Sequence, residues 1–257
     1  MDLNQILFGI YPYIALSVLV IGSVIRFDRE PYTWRTGSSQ LLRRRQLVTG
    51  SVLFHLGVLM IFGGHFVGLL TPVWIWDALG VAHAAKQMLA MVAGGVAGLM
   101  ALVGGGLLLH RRLFDVRIRR TSSFGDTAIL ILLMIQLLLG LSTIPVSFQH
   151  RDGAEMLKFM SWAQGVFTFR PHVADFVADT QLVFKAHLVL GMSILLVFPF
   201  TRLVHMLSAP VWYLNRRGWQ LVRTKRRLPR RVEVLAPVYR RQAATVASSV
   251  NAREAAE

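Results

Sequence analysis

Residues 47–70 read LVTGSVLFHLGVLMIFGGHFVGLL, a run with no acidic or basic side chain apart from two histidines, His55 and His65. A bilayer core of about 30 Å is crossed by about 20 helical residues at about 1.5 Å each. The run is long enough, and only its imidazoles are costly in hydrocarbon. Four more apolar stretches lie at 6–25, 88–109, 128–146 and 182–207. The last carries Lys185, His187, Arg202 and His205, so it is expected to turn a polar face into a bundle rather than toward lipid. The fold class is all-α integral membrane, with five transmembrane helices.

Composition agrees. Of 257 residues, 54% are hydrophobic and only 16% charged, where a soluble domain carries about a quarter charged residues. The chain has 28 Lys and Arg against 13 Asp and Glu. These bases cluster between the apolar runs, which points to membrane orientation and away from nucleic acid. Segment 26–46 holds six Arg, segment 110–120 five, and the chain beyond 207 eleven Lys and Arg. Segment 71–87 has only Lys86, and 147–181 has three bases against four acids. The positive-inside rule places the Arg-rich loops and the C-terminus in the cytoplasm. With five spans the N-terminus is then outside. No basic n-region precedes the first span, which is expected to be retained.

No internal repeat is visible, which disfavours an inverted-repeat transporter. Residues 150–180 read as an interfacial segment at the outer surface, with a short amphipathic helix. Two regions are expected: a membrane domain over 1–223 and a basic cytoplasmic extension over 224–257.

Cysteine is absent. This excludes disulfides, thiolate-held iron–sulfur clusters, covalently attached c-type haem and cysteine–zinc sites. The chain has eight histidines. Four of the eight lie in loops or at span ends; His55, His65, His187 and His205 lie inside the second and fifth spans. A single intramembrane His is commonly an interhelical hydrogen-bonding residue; two on each of two helices ask for more.

Span two runs outward and span five inward, so His65 is level with His187 near the outer face and His55 with His205 near the cytoplasm. The crossed pairing would have to reach across most of the bilayer. Eighteen residues at about 100° each return His205 to the face of His187, whereas ten leave His65 about 80° from His55. The rises differ, about 15 Å on span two against about 27 Å on span five. Pro199, tilt and side-chain reach are expected to absorb the difference.

Two neutral imidazoles facing each other at one depth are the axial set of a six-coordinate b-type haem. The expectation is two haem b groups stacked between the second and fifth spans. Gly57, Gly63, Gly64, Gly68 and Gly191 would let a flat macrocycle approach the backbone, or else serve helix packing; Gly94 and Gly98 are read as packing glycines. Arg202, three residues before His205, is read either as a partner for an inner-haem propionate or as a side chain snorkelling to the interface.

Ten blocks in order then resemble one family. They are Ile-Tyr-Pro-Tyr-Ile-Ala at 10–15, Tyr-Thr-Trp-Arg at 32–35, Leu-Phe-His-x-Gly at 53–57, Gly-His-Phe-x-Gly-x-Leu-Thr-Pro at 64–72 and Arg-Arg-Leu-Phe at 111–114. Leu-Ser-Thr-Ile-Pro follows at 141–145, His-x-Asp-Gly-x-Glu-Met at 150–156, Trp-Ala-Gln at 162–164, His-Leu-Val-Leu-Gly-Met at 187–192 and Phe-Pro-Phe-x-Arg-Leu-Val-His at 198–205. Over residues 8–223 the chain resembles the gamma subunit of membrane-bound respiratory nitrate reductase, a di-haem cytochrome b that anchors the enzyme in the cytoplasmic (inner) membrane.

The resemblance implies that His55, His65, His187 and His205 are the axial ligands. It also implies an iron–sulfur beta subunit and a molybdenum-containing alpha subunit as cytoplasmic partners. It places Lys86 at a quinol pocket beside the outer haem, through the stretch Lys-Gln-x-x-Ala-Met at 86–91. By position alone, Lys86 is also what an interfacial anchor looks like. Gly64 and His65 would form the facing wall of the pocket.

The function expected is quinol oxidation near the outer face, with electrons passing through the outer and then the inner haem to the iron–sulfur subunit and nitrate reduced on a partner. A di-haem anchor of another cytoplasmic reductase, and a haem-free proton-coupled transporter built on the same His, Lys and Arg set, are the competing readings. Because no cysteine is present to form a thioether, acid–acetone should extract all haem from the polypeptide; haem that stays with the chain contradicts the b-type reading.

Overall fold

The computed structural model describes residues 2–34 and 42–208. The 224–257 extension expected above lies outside the described residues. Among those described, five helices are long and apolar enough to span a bilayer, and there is no strand. The chain is an all-α, multi-pass membrane protein.

The first span starts in π-helical turns, Gln5–Ile10, and continues as α1 (Tyr11–Arg29). The second is α2 (Arg44–Leu70). A short α3 (Val73–Ala78) leads to the third span, α4 (His83–Phe114), and a short α5 (Val116–Thr121) leads to the fourth, α6 (Phe124–Gln149). Then come α7 (Ala154–Phe167) and the fifth span, α8 (Leu182–Val197). Spans two to four overrun the apolar runs by several residues. Their backbones keep hydrogen bonding until a cap or turn ends them, as where Ser123 accepts from the Asp126 N–H to open α6.

The fifth span departs from expectation. It is not one helix over 182–207. The α-helix ends at Val197, a 3₁₀ turn covers Phe198–Phe200, and a second 3₁₀ segment covers Arg202–Ser208. Pro199 brings no N–H, and Thr201 between the two turns is extended at φ −114° and ψ 178°. The helical phase argument linking His187 to His205 therefore does not hold, because the helix stops between them. The mismatch in rise is absorbed by a change of chain direction at this break.

The spans pack in the order α1, α8, α6, α4, α2, and α2 and α8 share no comparable seam. The tightest contact is α2 on α4. A Cβ on Gly57 would come 2.6 Å from both the Ala97 oxygen and the Ala101 nitrogen, and one on Gly104 would strike the Phe54 nitrogen. Gly57 is thus a packing glycine. Gly98 is another, since its Cβ would meet Leu141 at 2.7 Å, whereas one on Gly94 would meet no atom within 4 Å. The packing role expected of Gly94 is not seen.

At one end of the bundle α7 and the 3₁₀ turn Val173–Val177 pack against the start of the first span. Trp162, Ala163 and Val166 bury against Phe8, Val173, Ala174 and Val177, and the Trp162 indole N–H donates to the Phe8 carbonyl at 2.9 Å. The 150–180 segment is therefore a packed lid on the bundle end, more than a helix lying on its surface. Gln164 donates to the Leu69 and Thr71 carbonyls at 2.9 and 3.1 Å, tying the lid to the end of α2.

At the opposite end the two Arg-rich loops meet. Arg43 pairs with Asp115 at 2.9 Å, and the Arg111 guanidinium donates to the Leu42 carbonyl at 2.7 Å. Asp115 caps α5, and the backbone N–H of Ile118, with that of Arg117 and the Arg43 charge, holds its carboxyl below the usual carboxylate range.

These contacts separate two glycine classes. Gly57→Val should destabilise the protein by about 1–3 kcal/mol through overpacking, while Gly94→Ala should leave stability unchanged or slightly raised. Thermal unfolding of both variants in detergent checks this; equal effects would contradict the α2–α4 seam.

Candidate functional site

The four intramembrane histidines meet in two pairs. The His65 and His187 ring centroids are 6.3 Å apart, and those of His55 and His205 are 6.1 Å apart. These are the pairs that depth sorting selects. Of the two α2 rings, one stands opposite a ring on α8 and the other opposite a ring on the 3₁₀ segment after the break.

Three of the four rings have a fixed tautomer. The Nδ1–H donates to the Ser51 carbonyl from His55 at 2.7 Å, to the Ile61 carbonyl from His65 at 2.8 Å, and to the Arg202 carbonyl from His205 at 2.6 Å. A carbonyl can only accept, so Nδ1 holds the proton and Nε2 is left as a free lone pair on the far side of the ring. His187 differs. Its Nδ1 is buried without a partner, and the Gln136 amide lies 3.4 Å from its Nε2 while donating to its carbonyl at 3.0 Å.

Gln136, missed in the sequence reading, stands beside this ring with its amide next to Nε2. It is the only amide or charged residue in 128–146, and an intramembrane polar residue of that kind is itself a signal. One turn along α6, a Cβ on Gly140 would come 3.0 Å from His187 Cε1. The glycine is what allows the ring to lie against α6. Gly191 faces Gln136 at 3.2 Å, so it serves packing between α8 and α6. A Cβ on Gly63, Gly64 or Gly68 would meet nothing within 4 Å.

Lys86 is packed inside the bundle. It is 5% exposed and its ammonium donates to the Gly68 carbonyl at 3.0 Å, one turn beyond His65. Met160 Sδ is 3.0 Å away, and the ammonium stands 4.3 Å from the centroid of the Trp76 ring, whose buried N–H has no partner. The neighbouring Gln87 is also buried and donates to the Ser147 and His150 carbonyls at 3.0 and 2.6 Å. At the other pair, Arg202 Nε lies 3.8 Å from Asp126, which Arg112 also approaches at 3.8 Å. Arg202 thus lies beside an acidic side chain in the first turn of α6.

Among the described residues no three His, Cys, Asp or Glu side chains converge as a protein-only metal cage would require. The imidazoles come as pairs, and their spacing fits one kind of guest. With ring centroids 6.3 and 6.1 Å apart, each pair leaves room for one iron between two neutral imidazoles. The residues present fit two haem b groups.

A family model described as "Nitrate reductase gamma subunit" matches residues 4–225. The respiratory nitrate reductase 2 gamma chain of Escherichia coli (strain K12) is 51% identical over 224 residues, covering 87% of this chain and 98% of its own. The nitrate reductase gamma chain of Bacillus subtilis (strain 168) is 38% identical over 213 residues, covering 83% and 95%. A nitrate reductase-like protein, NarX, of Mycobacterium tuberculosis (strain H37Rv) is 28% identical over 221 residues, which is 83% of this chain but 33% of that longer protein.

Proposed function

The chain belongs to the nitrate reductase gamma subunit family, and we propose that it is the quinol-oxidising di-haem cytochrome b of its complex. It is a multi-pass protein of the inner membrane and the membrane subunit of a respiratory nitrate reductase. The observation that carries the finer reading is the pair of imidazole separations, 6.3 and 6.1 Å, at two levels of one bundle.

His65 and His187 would hold the outer haem, and His55 and His205 the inner. When bound, haem b supplies a one-electron acceptor at each of the two depths. The chain's residues do the rest. Backbone carbonyls keep the Nδ1 protons of His55, His65 and His205, so the free Nε2 of each is presented as a ligand.

Lys86 sits beside the outer pair, out of water. Among the described residues, a single one of its three N–H donors meets an oxygen, the Gly68 carbonyl. The ammonium would bind and orient a quinol oxygen while that oxygen releases its proton to the outer aqueous side, with Gly64 and His65 as the facing wall. The two Arg-rich loops at the inner end face the cytoplasm on the positive-inside reading, where the iron–sulfur beta and molybdenum alpha subunits would dock. Arg202, drawn toward Asp126, remains the basic side chain nearest in sequence to the inner ligand and would face a propionate.

The ligand assignment is tested by single substitutions read in the reduced-minus-oxidised spectrum. His65→Ala and His187→Ala should each remove the outer haem and spare the inner, and His55→Ala and His205→Ala the reverse. Loss of one and the same component in His55→Ala and His187→Ala would refute the pairing.

Lys86 is tested separately. Lys86→Ala should retain both haems yet slow haem reduction by a quinol analogue by about 10–100-fold, the value of one charge-assisted hydrogen bond lost. Nitrate reduction by an artificial donor acting directly on the soluble subunits should be unchanged. Normal quinol kinetics with haem content intact would remove Lys86 from the site.

A further inference from the structure

At the break in the fifth span the backbone leaves the α-helical ladder, and the carbonyls there can take donors from side chains. Leu203 N–H turns to the Thr201 hydroxyl at 3.3 Å, and Pro199 has no N–H of its own. Inside a membrane such carbonyls must find a donor. They find it on another helix. Arg26, near the end of α1, donates from one guanidinium nitrogen to the Pro199 carbonyl at 2.6 Å and the Thr201 carbonyl at 2.8 Å. Its Nε donates to the Thr33 hydroxyl at 3.1 Å and its other terminal nitrogen to the Thr33 carbonyl at 3.2 Å.

The guanidinium thus joins α1, the 3₁₀ turn Pro31–Thr33 and the two carbonyls that bracket the change of direction before His205. One turn earlier, a Cβ on Gly22 would come 3.0 Å from Pro199 Cβ and Cγ, so α1 seats directly on the proline. A cation here also faces the negative end of α8 and its 3₁₀ extension. A planar fork that serves three carbonyls and a hydroxyl at once is a task for Arg and not for Lys.

We propose that Arg26 is a positioning residue for His205: by clamping the Pro199 and Thr201 carbonyls it fixes the 3₁₀ segment Arg202–Ser208 so that the His205 ring stands opposite His55. The inference rests on the di-haem reading. Held from the α1 side by Arg26 and from the α6 side by the Arg202–Asp126 contact, the segment has its direction set twice. The packing of Leu203 and Val204 against Ile129, Ile194 and Phe198 then fills the space between. Outer ligation, on α2 and α8 above the break, does not depend on Arg26.

The test uses membranes carrying the full complex, with Arg26→Leu and Arg26→Lys, and with Arg29→Leu as an exposed control on the same turn. Haem is read by low-spin electron paramagnetic resonance and by redox titration of the reduced spectrum, both per assembled complex. The expected result is loss or displacement of one low-spin signal, the one that His205→Ala removes, with the other signal and its potential unchanged. Arg26→Lys should show the same selectivity in milder form, and Arg29→Leu should match wild type.

Both haems unchanged in Arg26→Leu would overturn the inference, and so would equal loss of both, the mark of a general stability role. If Arg26→Leu does not assemble, Arg26→Lys is judged on the same two criteria. A wild-type complex without two low-spin haems would overturn the di-haem reading itself, an outcome distinct from either.

Discussion

Two histidines ten residues apart on a straight helix must meet two that are eighteen apart. On two parallel helices this is geometrically impossible, since the rises differ by about 12 Å. The break at Pro199 resolves it. Once the α-helix stops at Val197 and the chain redirects through Thr201, His205 is no longer bound to the axis that carries His187. The straight helix is α2, which is anchored along α4 by Gly57 and Gly104 and cannot shift to meet its partners. The broken one does the accommodating. A rigid strip of two histidines, faced by one on a helix and one on a turn, is the arrangement on which the remaining contacts depend.

Breaking a helix in a membrane exposes backbone groups, and the pattern of polar side chains follows from satisfying them. Arg26 serves the carbonyls of the Pro199 break, and Gln164 serves those at the end of α2. Gln87 serves the end of α6, and Lys86 reaches the Gly68 carbonyl in the last turn of α2. Each is a long donor side chain crossing from one helix to a terminus of another. In water these carbonyls would be solvated and the side chains dispensable; in hydrocarbon each unmade bond costs the full desolvation of the group. The polar residues of the bundle interior are accordingly few and committed.

Sequence reading went far for what depends on composition and depth. Five spans, their order and the two His pairs were all legible, because hydrocarbon thickness and charge segregation act residue by residue. It failed where a contact between elements decides the outcome. The apolar run 182–207 looks continuous, and Pro199 within it could have produced a kink in a continuing helix; that Arg26 and Gly22 of another span meet the chain at this proline is not written in the run itself. Gly57 and Gly94 are indistinguishable as letters, yet one faces Ala97 and Ala101 and the other open space. The Trp162 lid was read as interfacial because its aromatics alternate with charges. Its burial against Phe8 required knowing that the start of the chain lies beneath it.

Lys86 shows how the same letter takes its meaning from burial. As an interfacial residue it would keep its ammonium in water and cost nothing. Instead the lid and α3 enclose it, and its neighbours, a thioether and an indole face, compensate a charge weakly. One carbonyl is a poor return for desolvating an ammonium with three donors. A chain needing only to satisfy Gly68 could do so with a neutral amide, as Gln164 does for Leu69 and Thr71. Retaining a cation at this point, one turn from the ring of His65, makes physical sense where an oxygen that becomes more negative is to be held there. That is the condition of a quinol oxygen giving up its proton beside an electron acceptor, and it supports assigning the outer pocket, and not the inner Arg cluster, to the substrate.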